Sequence, residues 1–421
     1  MTVRQQRYRT VWTTIGILLG IVTLGATPAQ TATGADSIDV GLYPLGVAFS
    51  PDGTKAYVTN NSDGTLSVIN PATSTVTATT TVGFNPSGVA VSPDGSKVYV
   101  VNYNSPFSVS VINSATGTVT STIAVGDYPV AVAFSPDGTK AYVTNSGDNT
   151  VSVINPATEA VTATLGTGNN PGGIAISPDG SKVYIANQGS ASVTVISPNF
   201  DTVTGTIPVG RYPSGVAFAP DGTKAYVVNM SDDTVSVINP SGGAVGTVTE
   251  TISVGGQPQW VAFSPDGSRA YVTNSSDDTV SVVNPAAGVN TGTIPVGDEP
   301  LGVAFSPVGL LAYVANADDA SVSVITNQTS VTPLPPSARA KSKVVKASWT
   351  AITGTNKYQV SAYGKTRSGK KFSKTATTIG SQVKVKVKAG IASGSKVKVC
   401  LTAIGPGGPS TAACTMATRG G

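Results

Sequence analysis

Residues 46–60 read Gly-Val-Ala-Phe-Ser-Pro-Asp-Gly-Thr-Lys-Ala-Tyr-Val-Thr-Asn. The stretch describes two short strands and the turn between them. Val47, Ala48 and Phe49 form an apolar run. Ser50-Pro51-Asp52-Gly53 then turns the chain: proline presets φ, aspartate bonds nearby backbone, and glycine accepts the positive φ that follows. From Ala56 to Thr59 the residues are β-formers again.

The same turn returns at Ser92–Gly95, Ser135–Gly138, Ser177–Gly180, Ala219–Gly222, Ser264–Gly267 and, degraded, at Ser306-Pro307-Val308-Gly309. Successive turn prolines stand 42, 43, 42, 42, 45 and 42 residues apart. A period of this length built from short strands predicts propeller blades, and seven copies predict seven of them. The residues after each turn resemble the YVTN family of β-propeller repeats. The tetrad is literal at Tyr57–Asn60, Tyr142–Asn145 and Tyr271–Asn274, and varied at Tyr99–Asn102, Tyr184–Asn187, Tyr226–Asn229 and Tyr313–Asn316. The resemblance spans residues 36–326 and implies a fold more than a chemistry.

In the second copy the strands are expected at 88–91, 97–101, 109–112 and 118–125, called A to D from the inside outward. Valine and threonine alternate along C and D, as half-buried strands require. After Ile325 no D strand follows. Before the first A strand, Ser37–Gly41 looks like an orphan D strand. The expected closure is strand exchange, in which this N-terminal strand completes blade 7 and removes an open edge.

This topology puts the A–B and C–D turns on one face, the bottom, and the D–A and B–C loops on the other, the top. The bottom turns hardly vary, so their aspartates read as turn chemistry and not as metal ligands. The aspartate-rich B–C loops, such as 274–278, lack the spaced ladder of a calcium loop and are expected to form Asx-type turns. The top loops differ between copies, and binding residues collect on variable loops over a rigid scaffold. Tyr43, Phe84, Tyr103, Phe107, Tyr128, Tyr212 and Trp260 fall there, with Arg211, Asp127, Asp298 and Glu299. Trp260 takes a position that is glycine in five copies, which puts it near the mouth of the central channel. Tyr43, Phe84, Tyr103, Tyr128, Arg211, Tyr212 and Trp260 are the candidate ligand-binding set. The alternative is that the aromatic rings cover blade ends.

Bulk properties narrow the class. Charged residues make up only 11% of 421, and there is no histidine. The chain therefore lacks the commonest general base and transition-metal ligand. No cofactor and no metal site are expected. Arg4, Arg7 and Arg9 precede an apolar run from Val11 to Gly25, followed by Ala26-Thr27-Pro28-Ala29. This reads as a signal peptide over 1–29, cleaved after Ala29; 15 apolar-run residues fall short of the ~20 that span a bilayer. Secretion or cell-surface display by bacterial-type export follows, with no transmembrane segment after cleavage.

Composition changes near Pro333. A proline-rich linker is assigned to 330–336, after a propeller over 36–329. Residues 332–421 hold sixteen Lys or Arg and no Asp or Glu, whereas the propeller holds all 22 acidic residues against seven basic ones. Net charges of +16 and −15 thus sit in one chain. Residues 337–418 resemble a fibronectin type III domain: Trp349 on a candidate strand 344–350, Tyr358–Tyr363 as the next, and Val397–Ala403 leading into Gly405–Ser410. The resemblance implies a small β-sandwich. Lys384, Lys386 and Lys388 alternate on one strand, and Lys396 and Lys398 on another, as a candidate polyanion-binding set. Cys400 and Cys414 lie equidistant from Gly407, so a symmetric hairpin opposes them; an even pair in an exported protein predicts a disulfide.

The expected fold is all-β, a seven-bladed propeller followed by that sandwich. The expected function is a non-enzymatic exported binding or surface protein. Its top face would meet an extracellular protein or glycan, and its basic module would meet anionic cell-wall polymers. Nucleic acid is not expected as a specific partner. The alternative is an extracellular hydrolase or lyase with a carboxylate-based site on the top face.

Overall fold

The computed structural model describes residues 36–326 except 244, and eight strands between Ser337 and Thr418. The 1–29 segment, the 330–336 linker, Trp349 and Lys388 lie outside the described residues.

Residues 36–326 form seven four-stranded antiparallel sheets. Blade 1 consists of Pro44–Phe49, Ala56–Asn60, Thr65–Asn70 and Thr75–Thr81, paired in sequence order. Blades 2 to 6 repeat this pattern. Blade 7 takes its A, B and C strands from Pro300–Phe305, Leu311–Asn316 and Ser321–Thr326. Its outer strand is Asp36–Asp39, antiparallel to Ser321–Thr326, with Ile38 opposite Val322 and Asp39 opposite Ser321. The strand exchange expected from the sequence is therefore present. Ile38 is buried among Val58, Leu311 and Tyr313, which joins blade 7 to blade 1.

The tetrad residues bind blade to blade. All seven tyrosines are buried, and burial alone pushes Tyr184 up to about 12. Five of them meet a phenylalanine at the end of the next blade's A strand, as in Tyr99–Phe134 at 4.6 Å and Phe49–Tyr313 at 4.8 Å. The buried asparagine works within its blade. Asn60 accepts from the Gly41 N–H and donates to the Thr65 and Ser67 hydroxyls, and each other tetrad asparagine donates to the matching pair.

The third tetrad position supplies a staple between blades. Thr59 Oγ1 accepts from Gly46 N–H and donates to the Ser87 carbonyl of blade 2 at 2.7 Å. Thr144 and Thr273 do the same toward Gly172 and Leu301. Where the threonine is replaced by Val101 or Val228, a serine one residue after the A-strand proline takes over: Ser87 donates to Val130 and Ser214 to Gln259. The joints from blade 4 to 5 and from 7 to 1 have Ala186 and Ala315 at the tetrad position, and Gly172 and Leu301 at the other, so neither position offers a hydroxyl.

On the bottom face, each turn lysine reaches a carbonyl in the C–D turn of the next blade. Lys55 bonds Ser114, Lys97 bonds Pro156, Lys140 bonds Pro198, Lys182 bonds Pro240 and Lys224 bonds Pro285. Lys97 and Lys140 also pair with Glu159 and Asp201. Blade 7 has Leu311 in place of this lysine, buried in the seam with Ile38.

Beyond the propeller, Ser337–Ala340, Val344–Ser348 and Gln382–Lys386 form one sheet, and Lys357–Lys365, Lys371–Thr378, Lys396–Gly405, Gly408–Pro409 and Ala413–Thr418 another. The register opposes Cys400 and Cys414, as the hairpin symmetry predicts.

Candidate functional site: the loop face of the propeller

Seven structurally equivalent residues crown the top face. Tyr43, Asn85, Tyr128, Asn170, Tyr212, Gln257 and Glu299 each precede the A-strand proline, and each adopts positive φ, between 47 and 53 degrees. Non-glycine residues rarely do so, and a following proline disfavours the α region further. The conformation is held from outside. The carbonyl of each accepts an N–H from the residue after the tetrad asparagine, Asn61 to Tyr43 and Ala317 to Glu299 among them. Asn85, Asn170 and Gln257 were not singled out by sequence; their signal was the fixed offset from the repeat proline.

The loop aspartates act as caps and not as the Asx-type turns expected. Asp63 accepts the Leu42 N–H, Asp148 that of Asp127, Asp277 that of Gly256 and Asp319 that of Asp298, at 2.7 to 2.8 Å. Asp233 and Asp278 reach to the following blade and accept from Gln257 and Glu299. A cap 21 or 24 residues away leaves no trace in local sequence. Among the described residues no cluster of three or more such side chains could hold a metal ion.

The candidate residues do not form one platform. Tyr128 lies 5.3 Å from Tyr103 and 5.0 Å from Phe107, an aromatic cluster over blades 2 and 3. Phe84 is 67% exposed on the adjoining loop, whose Asn85 joins an amide ladder with Asn61 and Asn104. Tyr43 donates to Glu299 at 3.3 Å, across the seam between blades 7 and 1. Arg211 pairs with Asp232, and Tyr212 is exposed beside it.

Trp260 lies apart from all of these, in the central channel. Seven A strands enclose a cavity of about 280 Å³, lined by Trp260, Gln188, Gln259 and a belt of glycine and valine. The indole packs against the core cluster shared by blades 3 and 4 and also against the one shared by blades 6 and 7. The glycines at its position elsewhere answer to packing: a Cβ on Gly302 would run into the Leu45 carbonyl oxygen of blade 1. Gln188 and Gln259 were missed by the sequence reading, because nothing in the repeat marks them.

Charge separates the two faces. The top loops carry eleven carboxylates and one base, Arg211. Asp319 and Asp278 beside Asp298 hold its carboxyl above the usual range; burial, then Asp318, raises Glu299. On the bottom, the Ser50, Ser92, Ser135 and Ser177 hydroxyls, and then backbone N–H groups, hold Asp52, Asp94, Asp137 and Asp179 below the usual range, Asp94 at about 2. Depressed carboxylates contribute stability that is present above the unfolded pKa and lost as pH falls through the folded one. The raised pair has the opposite sign: its cost at neutral pH is relieved on acidification. The melting temperature is therefore expected to hold or rise slightly toward pH ~4.5 and then fall between about pH 4 and pH 2. Thermal melts across that range check this; a monotonic decline from pH 7 would contradict it.

Fold and face together define a seven-bladed β-propeller. A family model described as a YNCE-like beta-propeller matches residues 138–224. Among solved structures the chain is similar to a chain of Kuenenia stuttgartiensis hydrazine synthase, at 25% identity and a TM-score of 0.62, covering 72% of this chain and 99% of that one. No curated protein sequence matches.

Proposed function

We propose that this is an exported, non-enzymatic binding protein of the cell surface, whose loop face meets an extracellular protein or glycan. Its basic C-terminal part, read as a fibronectin type III-like sandwich, holds the molecule to anionic envelope polymers. One observation carries the reading: both ends of the propeller lie on the bottom. Asp36 opposite Val324 begins the closing strand low, and the last C strand runs downward from Ser321 to Thr326. A tether attached there leaves the variable top face free, with its aromatic cluster over blades 2 and 3 and its carboxylates over blades 5 to 7.

The C-terminal register supports a polyanion partner. Arg339 opposes Lys346, Lys346 opposes Lys384, and Lys365 opposes Lys371. A segment with sixteen basic residues and no acidic one attracts a polyanion through its net charge. The hydrazine synthase neighbour brings an enzyme's name to the comparison. Against an enzyme reading stand the absence of histidine and the engagement of the loop carboxylates as caps.

The test is a pull-down of the mature chain on purified cell envelopes over a salt series. Binding is expected at about 0.1 M salt and should be largely lost near 1 M, as the screening length falls from about 10 to about 3 Å. Substituting Lys384, Lys386, Lys388, Lys396 and Lys398 by Gln should weaken it at low salt. Salt-insensitive retention would overturn the tether.

A further inference from the structure

The cavity in the central channel has a polar mouth over an apolar body. Each A strand starts at the top face, and Trp260 is the third residue of its strand, Pro258–Phe263. Glycine holds that position in five blades and alanine in one, so a single indole enters a channel that the other blades leave open. Gln259 precedes the tryptophan, and Gln188 follows the tetrad asparagine at the top end of Val183–Asn187. Both amides therefore stand at the loop-face opening. Below them the lining is aliphatic, with Val47, Val89 and Val303 among glycines. Among the described residues no charged side chain lines the cavity.

Three polar groups at this mouth have bonding capacity left. The Trp260 indole N–H finds no partner among the described residues; the hydrogen bonds of this residue run through its backbone to Thr273. Gln188 accepts from Asn170 with its Oε1 at 3.0 Å, which leaves its amide N–H groups free to donate. Gln259 donates to Met230 Sδ and Ser275 Oγ, both at 3.2 Å, which leaves its Oε1 free to accept. The backbone of the belt adds little. The carbonyls of Ser87, Val130, Gly172, Gln259 and Leu301 already accept hydroxyls of the preceding blade. A volume of about 280 Å³ holds about nine waters, each wanting about two to four polar partners. The walls supply far fewer, so an apolar body displaces this water readily.

We propose that the channel mouth binds a small neutral aromatic molecule of one or two rings, which packs on the Trp260 indole and turns a hydrogen-bonding edge toward Gln188 and Gln259. Aromatic pairs gain from offset or edge-to-face contact, which the indole supplies. The size fits, because an apolar cavity of about 150 Å³ is enough for benzene. Charge selects against ions. A buried ion loses its hydration where no counter-charge lines the wall, and an anion also meets the carboxylates of the top loops. A sugar would set hydroxyls against valine and leucine, where they find no partner. The site is separate from the loop-face partner and from the envelope tether, and depends on neither.

Calorimetric and ligand-observed NMR titrations of the full-length chain with indole, nicotinamide, benzoate and glucose test this. Indole and nicotinamide should bind one per chain with dissociation constants of about 0.1–1 mM, the range of well-placed ligands of about nine heavy atoms. Benzoate, equal in size but charged, and glucose should each bind at least about tenfold more weakly. Trp260→Gly, which gives blade 6 the residue found in five others, should weaken both aromatics at least about tenfold. Gln188→Leu with Gln259→Leu should weaken nicotinamide about tenfold and keep the melting temperature. Phe200→Ala, at a ring 78% exposed in a bottom turn, should change nothing. If Trp260→Gly lowers the melting temperature, the glutamine pair decides. Absence of binding by both aromatics at about 5 mM overturns the proposal. So does benzoate or glucose binding equal to theirs, or nicotinamide binding that the glutamine pair leaves unchanged.

Discussion

Deleting residues 36–41 is expected to lower the melting temperature by on the order of 10 °C. The loss combines burial of Ile38 and Val40 with the ladder against Ser321–Thr326, about 5 kcal/mol in all. The effect should exceed that of trimming any other blade's outer strand by a like amount, because this joint lacks two devices found elsewhere. Neither Ala315 nor Leu301 offers a hydroxyl toward Leu45, and Leu311 stands where five other blades have a clamping lysine and blade 6 has Arg269. Blade 7 would also be left with an open strand edge, so aggregation on heating should increase. Thermal melts of both chains check this, and an unchanged midpoint would rule out the strand as the closure.

Replacing Tyr313 by alanine should cost about 3–5 kcal/mol, as for other large buried aromatic side chains. The ring is fully buried between blades 7 and 1 and packs on Phe49 at 4.8 Å. Tyr313→Phe keeps that contact and should cost far less. Denaturant unfolding of both variants gives the comparison. Equal losses would mean that the hydroxyl, not the ring, holds the seam. A loss below about 1 kcal/mol for alanine would mean that the seam closes without the aromatic pair. In combination with the 36–41 deletion the effects should not add, since Ile38 and Tyr313 share one core cluster.

The sequence alone determined the blade count, the turns, the two faces and the strand that closes the ring. Those features are written locally and seven times over. A turn is set by four consecutive residues, a strand by alternation along itself, and the missing outer strand by comparison of one copy with the next. Opposition of Cys400 and Cys414 was legible for the same reason, since a hairpin's register follows from distance to its turn.

Tertiary structure decided the rest. Asp277 and Asp319 read as turn formers but serve loops 21 residues away, and Asp233 serves the following blade. Ser87 and Ser214 stand in for the missing tetrad threonines, a substitution that only the joints between blades make intelligible. Trp260 grouped with the rim tyrosines in sequence, yet its indole lies across the channel toward blades 3 and 4. Each of these depends on which blades stand side by side around the ring. Periodicity records what one blade repeats, whereas a contact between blades depends on two stretches of chain that meet only when the ring closes.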